Sequence, residues 1–137
     1  MSTTTHRVGD GEHPVIVLHG WFGDARSFGP MEPWLSRDTF SYVFMDYRGY
    51  GARRDVVGAY TIDEIATDTL SLADELGFDS FSLIGHSMGG MVLEKVAILA
   101  PDRIRRLVAI APVPATGMRY DASARDVLDR ACGDASL

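Results

Sequence analysis

The chain has 137 residues, 46% of them hydrophobic and 23% charged, the balance of a soluble globular domain with room for one core and not for two domains. A formal net charge of −6 argues against nucleic acid or an anionic membrane as partner. The single cysteine, Cys132, excludes a disulfide framework and a thiolate metal site, and no apolar run reaches membrane-spanning length. Residues 1–13 carry no signal-peptide pattern, so a cytoplasmic location is expected.

Residues 1–14 are polar and glycine-bearing, which predicts a frayed lead-in, at best a short edge strand. Val15-Ile16-Val17-Leu18 is a continuous apolar run, as in a strand buried on both faces, and it breaks into the loop His19-Gly20-Trp21-Phe22-Gly23-Asp24. Residues 26–35 form a weak helix candidate with Phe28, Met31, Trp34 and Leu35 on one side, limited by Pro30 and Pro33. A strand over 40–45 ends in Asp46-Tyr47-Arg48-Gly49-Tyr50-Gly51, followed by a charged loop over 52–60. Arg53 and Arg54 read as solvated loop residues, as do Arg103, Arg105 and Arg106.

Thr61 with Glu64 is a capping-box pattern opening a helix whose apolar stripe is Ile62, Ile65, Thr69, Leu72 and Leu76; Gly77 closes it. Phe81-Ser82-Leu83-Ile84 is the next strand, and Met88, Met91, Val92, Val96, Ala97 and Leu99 recur with helical spacing over 88–100, up to Pro101. Residues 106–113 make a fourth strand. Residues 115–137 differ in composition, with a short helix expected over 123–132.

The alternation predicts an α/β fold, a parallel sheet of about four core strands with right-handed crossovers and helices on both faces. Residues 1–14 are its lead-in, 15–114 its core and 115–137 a tail. In such sheets reacting groups gather at the carboxyl ends of the strands, where His19-Gly20-Trp21, Asp46 and Ser87 all fall. A nucleotide-binding module is disfavoured, because neither G-x-G-x-x-G nor G-x-x-x-x-G-K-[ST] follows any strand.

Gly85-His86-Ser87-Met88-Gly89 stands where a strand becomes a helix, as the G-x-S-x-G motif requires. The turn is so tight that Gly85 and Gly89 leave no room for side chains, while Gly90 lets the helix pack close to a neighbouring strand. The first free amides of the helix point towards the serine oxygen, a place for developing negative charge.

With His19-Gly20-Trp21 after one strand, Asp46-x-Arg48-Gly49-x-Gly51 after the next, and Gly85-His86-Ser87-Met88-Gly89-Gly90, the chain resembles the α/β-hydrolase superfamily, in its His-Gly-type branch of esterases. The resemblance covers residues 15 to about 114 and implies a truncated form of that fold, lacking the last strands and most of the cap. It implies Ser87 as nucleophile towards a carboxylic ester or similar small acyl substrate, with the backbone N–H groups of Trp21 and Met88 as oxyanion donors. His19, Gly20, Gly85, Gly89 and Gly90 support the motifs. No metal or organic cofactor is implied.

In that resemblance His19 is a packed structural residue, His86 diverges from its neighbour Ser87, and Asp46 and Arg48 hold loops together. Trp21, Phe22 and Tyr47 either line an apolar acyl pocket or belong to the core. The chain departs from the family in one respect: its four histidines are His6, His13, His19 and His86, and none follows Ser87, where the fold places its catalytic base. Asp121, Asp126, Asp129 and Asp134 lie where the cap would begin, and none is named as the triad acid.

Two alternatives therefore stand beside the serine hydrolase: an inactive truncated fragment, or one part of a two-chain assembly. Within the fold, a C–C bond hydrolase, lactonase, peptidase or cofactor-free haloperoxidase shares the same front half. Dehalogenases and epoxide hydrolases are disfavoured, because they place an aspartate where Ser87 stands. The strand over 106–113 is expected to be an unpaired apolar edge, open to association and aggregation.

Overall fold

A computed structural model describes residues 5–133. Its strands are β1 (Thr5–Val8), β2 (His13–Leu18), β3 (Phe40–Met45), β4 (Phe81–His86) and β5 (Ile104–Ile110); its α-helices are α1 (Ile62–Glu75), α2 (Met88–Leu99) and α3 (Ala122–Gly133). They form one sheet in the order β1-β3-β2-β4-β5. β3, β2, β4 and β5 run parallel, the four core strands expected, and β1 pairs antiparallel with β3 along one edge. Part of the segment read as a lead-in is thus built into the sheet as an edge strand. Residues 1–4 and 134–137, Asp134 among them, lie outside the described residues.

The alternation of side chains along β2 sorts the core into two halves. Ile16 and Leu18 face the side covered by α1 and α2, where they meet Val43, Met45, Leu83, Leu72 and Val96. Val15 and Val17 face the other side, against Phe44, Tyr42 and Phe28. Each fully buried side chain of this size contributes about 1.5–3 kcal/mol through removal from water. The second face is closed by a 3₁₀ turn over Gly29–Trp34 instead of the expected helix. Pro30 and Pro33 remove the amides an α-helix needs there. Phe28 is buried beneath that turn, whereas Trp34, read on its apolar side, is 87% exposed.

α1 opens as its sequence predicts. The Glu64 amide donates to Thr61 Oγ1 at 3.1 Å. The Glu64 carboxylate does not close the box on Thr61; it accepts from the Ala59 and Tyr60 amides at 2.7 and 3.2 Å and so ties down the preceding loop. Gly77 takes φ +71° just past the helix, where a side chain would be strained. β5 occupies 104–110, starting two residues and ending three residues earlier than the sequence suggests; Ala111 turns to φ +41° where it ends. This strand has β4 on one side only, and Leu107 and Val108 are each nearly half exposed.

Two groups of arginines correct the reading as solvated loop. Arg53 is buried, and its Nη1 donates to the Asp46 carbonyl at 3.2 Å and to Asp68 Oδ2 at 3.4 Å. Arg103 donates to the carbonyl of Phe78 at 2.7 Å and pairs with Asp74 at 2.8 Å, which fastens the end of α1 to the start of β5. Arg105 and Arg106 are exposed as expected, though they lie in β5 and not in a loop.

Candidate active site

Ser87 stands between β4 and α2 with φ +53° and ψ −114°. A non-glycine residue in that region costs of order 1–3 kcal/mol and persists only where its surroundings hold it. Three backbone hydrogen bonds do so. The Ser87 amide donates to the Ile110 carbonyl at 3.0 Å, and its own carbonyl accepts from the Gly90 and Val113 amides, both at 2.9 Å.

The glycines around it are dictated by contact. A Cβ on Gly85 would collide with the Gly89 carbonyl, and one on Gly90 with the side chain of Pro112. One on Gly20 would come 3.1 Å from both Ser87 Cβ and His86 Nδ1, so the loop after β2 lies directly against the serine. Met88 is the first residue of α2, and its N–H is one of the donors a helix start leaves without an internal partner. The Trp21 amide makes no hydrogen bond among the described residues.

Two of the three aromatic residues left open by the sequence part company with the third. Tyr47 is core, 1% exposed, while Trp21 and Phe22 are 42% and 64% exposed and stack on each other with ring centroids 4.7 Å apart. Phe22 holds φ +60° to do so. His19 is fully buried, its Nδ1 2.8 Å from the Gly20 carbonyl and its ring stacked on Tyr47 at 3.9 Å. Burial lowers its pKa below the ordinary 6.5; the Gly20 hydrogen bond, Asp46 and Asp24 act in the opposite direction. His86 is exposed and stands edge-on to Phe28, 6.5 Å between centroids.

Asp46 does what its place at a strand end allows: Oδ1 accepts from the Ala25 amide at 2.7 Å and Oδ2 from the Ala52 amide at 3.0 Å, joining two loops. Arg48 makes a two-pronged contact with Asp68, 2.8 Å on each arm. Asp68 was not singled out by the sequence and Arg53 was read as a solvated loop residue, since their partnership joins a loop to a helical residue 15 positions further on. A cavity of about 560 Å³ is lined by Asp24, Arg26, Asp46, Ala52 and Arg54 among others, and Ser87 is not in its wall. Among the described residues no group of three or more His, Cys, Asp or Glu is placed to hold a metal ion, and no helix is long and apolar enough to cross a membrane.

A mostly parallel sheet with helices packed on it defines an α/β architecture. Residues 13–131 match the family described as alpha/beta hydrolase fold, and the chain belongs to that family. It is 34% identical over 120 residues to a 2-heptyl-3-hydroxy-4-quinolone dioxygenase of Rhodococcus erythropolis, covering 85% of this chain and 44% of that protein. Over 114 residues it is 32% identical to the pimeloyl-[acyl-carrier protein] methyl ester esterase of Klebsiella pneumoniae, covering 83% of this chain and 42% of the esterase. Among solved structures, an enzyme described as recognising and ring-cleaving the Pseudomonas quinolone signal superposes with a TM-score of 0.73 at 32% identity, covering 92% of this chain and 52% of that one. The chain spans less than half the length of the curated relatives it matches.

Proposed function

We propose that Ser87 is the nucleophile of a serine hydrolase acting on a carboxylic ester or similar small acyl compound. The observation that carries this reading is the backbone of Ser87 itself, held at φ +53° by hydrogen bonds to its amide and carbonyl, with the Gly20 loop against its side chain. In the reaction Ser87 Oγ forms a bond to the substrate carbonyl carbon as its proton passes to a base. The carbonyl oxygen becomes an oxyanion and accepts from the N–H groups of Met88 and Trp21. The ester C–O bond then breaks, the alcohol leaves with a proton, and water releases the acid from Ser87. Losing one oxyanion donor typically costs ~10²–10³ in rate.

The base is not supplied by the histidines described. His19 Nδ1 is engaged with Gly20, and His86 projects beside Phe28. No histidine follows Ser87 in the sequence. Loss of the base from a serine triad costs about 10⁶ in turnover, so the 137-residue chain alone is expected to acylate slowly.

The test is labelling with a fluorophosphonate probe, read by intact mass and peptide mapping. Label on Ser87 that disappears in Ser87→Ala supports the reading; label that survives the substitution refutes it. A chain that takes no label, yet forms a stable complex with a second chain, would favour the two-chain alternative.

A second reading draws on the relatives named as quinolone dioxygenases. The site around Ser87 would then accept a 3-hydroxy-4-quinolone and molecular oxygen. Oxygen uptake with 2-heptyl-3-hydroxy-4-quinolone, compared with release of acid from simple esters, separates the two.

A further inference from the structure

The cavity of about 560 Å³ at the ends of β2 and β3 does not include Ser87, yet it has the volume of a small-molecule site, about 300–1,000 Å³. Asp46 organises one part of its wall. That carboxylate is 6% exposed, and each of its oxygens accepts from a backbone amide, Ala25 on the loop after β2 and Ala52 on the loop after β3. Gly51, at φ +51°, brings the backbone so close that a Cβ there would collide with the carboxylate. The second acid in the wall is Asp24. Its Oδ1 accepts from the Arg26 amide at 2.7 Å, and its own amide donates to Ser27 Oγ at 2.9 Å. Both acids are thus engaged in shaping the backbone.

The cations in the same wall are not so engaged. Arg26 makes no ion pair and no side-chain hydrogen bond among the described residues. Arg54 reaches one carboxylate, Asp55 at 3.8 Å, but the two side chains are 80% and 96% exposed, a pairing of little worth in water. The third basic group, His6, has Nε2 2.7 Å from Glu32 Oε1 and its ring tilted against Phe44, so it serves as wall. The chain as a whole carries a net charge of −6. Against that background, two uncommitted guanidinium groups beside acids already tied to amides make this cavity a local match for negative charge.

We propose that the cavity binds a small organic dianion, a phosphate monoester or a dicarboxylate, anchored by the guanidinium groups of Arg26 and Arg54. Each guanidinium presents a planar fork that meets an anionic group through two parallel hydrogen bonds, each roughly twice as strong as a neutral one. Arg26 stands on the loop after β2 and Arg54 on the loop after β3. A ligand held by both therefore ties together the two loops that Asp46 joins from within. The site is independent of the serine-hydrolase reading, because neither anchor is part of the serine turn.

The test is calorimetric titration of the 137-residue chain with phenyl phosphate, phthalate, inorganic phosphate and phenol, alongside nuclear magnetic resonance of the arginine Nε–H groups. At least one of the two organic anions should bind saturably and about tenfold or more tighter than inorganic phosphate, while phenol does not bind. The Arg26 and Arg54 Nε resonances should move with saturation, and the tighter of the two anions identifies the head group.

Arg26→Gln and Arg54→Gln should each weaken binding by about tenfold or more, as loss of a charged hydrogen bond requires. Both side chains are exposed, so neither substitution threatens the fold. Arg119→Gln makes the same change of charge at an exposed residue outside the cavity wall and should leave the affinity within about twofold. Inorganic phosphate binding as tightly as the organic anions would make this a site for a free ion and overturn the proposal. So would an equal loss in Arg119→Gln, arginine resonances that stay in place, or the absence of saturable binding.

Discussion

Gly89, the second residue of α2, runs against the end of β2: a side chain there would collide with the Leu18 carbonyl oxygen and come 2.9 Å from that of His19. Both obstacles are backbone, so neither can swing aside. Gly89→Ala is expected to destabilise by about 2–4 kcal/mol, in the range of overpacking with a forced backbone shift. Gly29→Ala, where nothing lies within 4 Å of the new Cβ, should stay within about 0.5 kcal/mol of the native chain. Urea unfolding of the pair tests this, and equal midpoints would refute the close approach.

Asp68 is the single acid shared by Arg48 and the buried Arg53. Asp68→Ala leaves Arg53 charged and largely enclosed without its counter-ion, a change that costs about 3–5 kcal/mol for buried pairs. Replacing Arg53 by Met in the Asp68→Ala background should return part of that loss, since no isolated charge then remains inside. A double-mutant cycle in denaturant gives both numbers; additivity of the two substitutions would show that the ions act separately.

His19 links stability to acidity. Its folded pKa is held below 6.5, chiefly by burial, while the unfolded chain has the ordinary value. Below pH 6.5 the unfolded state therefore binds the proton first, so this contribution to stability is full above 6.5 and declines as pH falls towards the folded pKa. Thermal midpoints measured from neutral to mildly acidic pH should fall more steeply in the native chain than in His19→Phe. Parallel curves would mean that His19 does not titrate on unfolding.

The open side of β5 predicts concentration-dependent association. Leu107 and Val108 stand at 44% and 49% exposure on a strand whose outer N–H and C=O groups face no neighbouring strand among the described residues. Leu107→Lys, which brings a charge to that edge, should lower the weight-average mass measured by light scattering. A monodisperse native monomer with a sharp thermal transition would refute the prediction.

Local pattern carried the sequence reading furthest where one segment determines its own state. The apolar run over 40–45 is β3 residue for residue, and Thr61 caps α1 because cap and helix are neighbours in the chain. Gly85, Ser87 and Gly89 announced the serine turn because the pattern itself occupies five consecutive residues, although the contacts that hold it run to Leu18, Ile110 and Val113.

Elsewhere the deciding partner is distant. Arg53 looks like any loop cation until Asp68, on a helix not yet begun, closes over it. Tyr47 reads as one more aromatic residue, and only the folded chain brings its hydroxyl to a carbonyl 28 positions earlier. Trp34 was misplaced for a local reason: two prolines hold its segment in 3₁₀ geometry, so the periodicity that put it with Phe28 does not apply.

Two of the three backbone hydrogen bonds that hold Ser87 run to Ile110 and Val113, at and just beyond the end of β5. That strand is also the least sheltered in the sheet. The serine thus takes part of its support from the most exposed strand of the sheet. What holds the serine is therefore decided partly at a distance from it, where β5 ends.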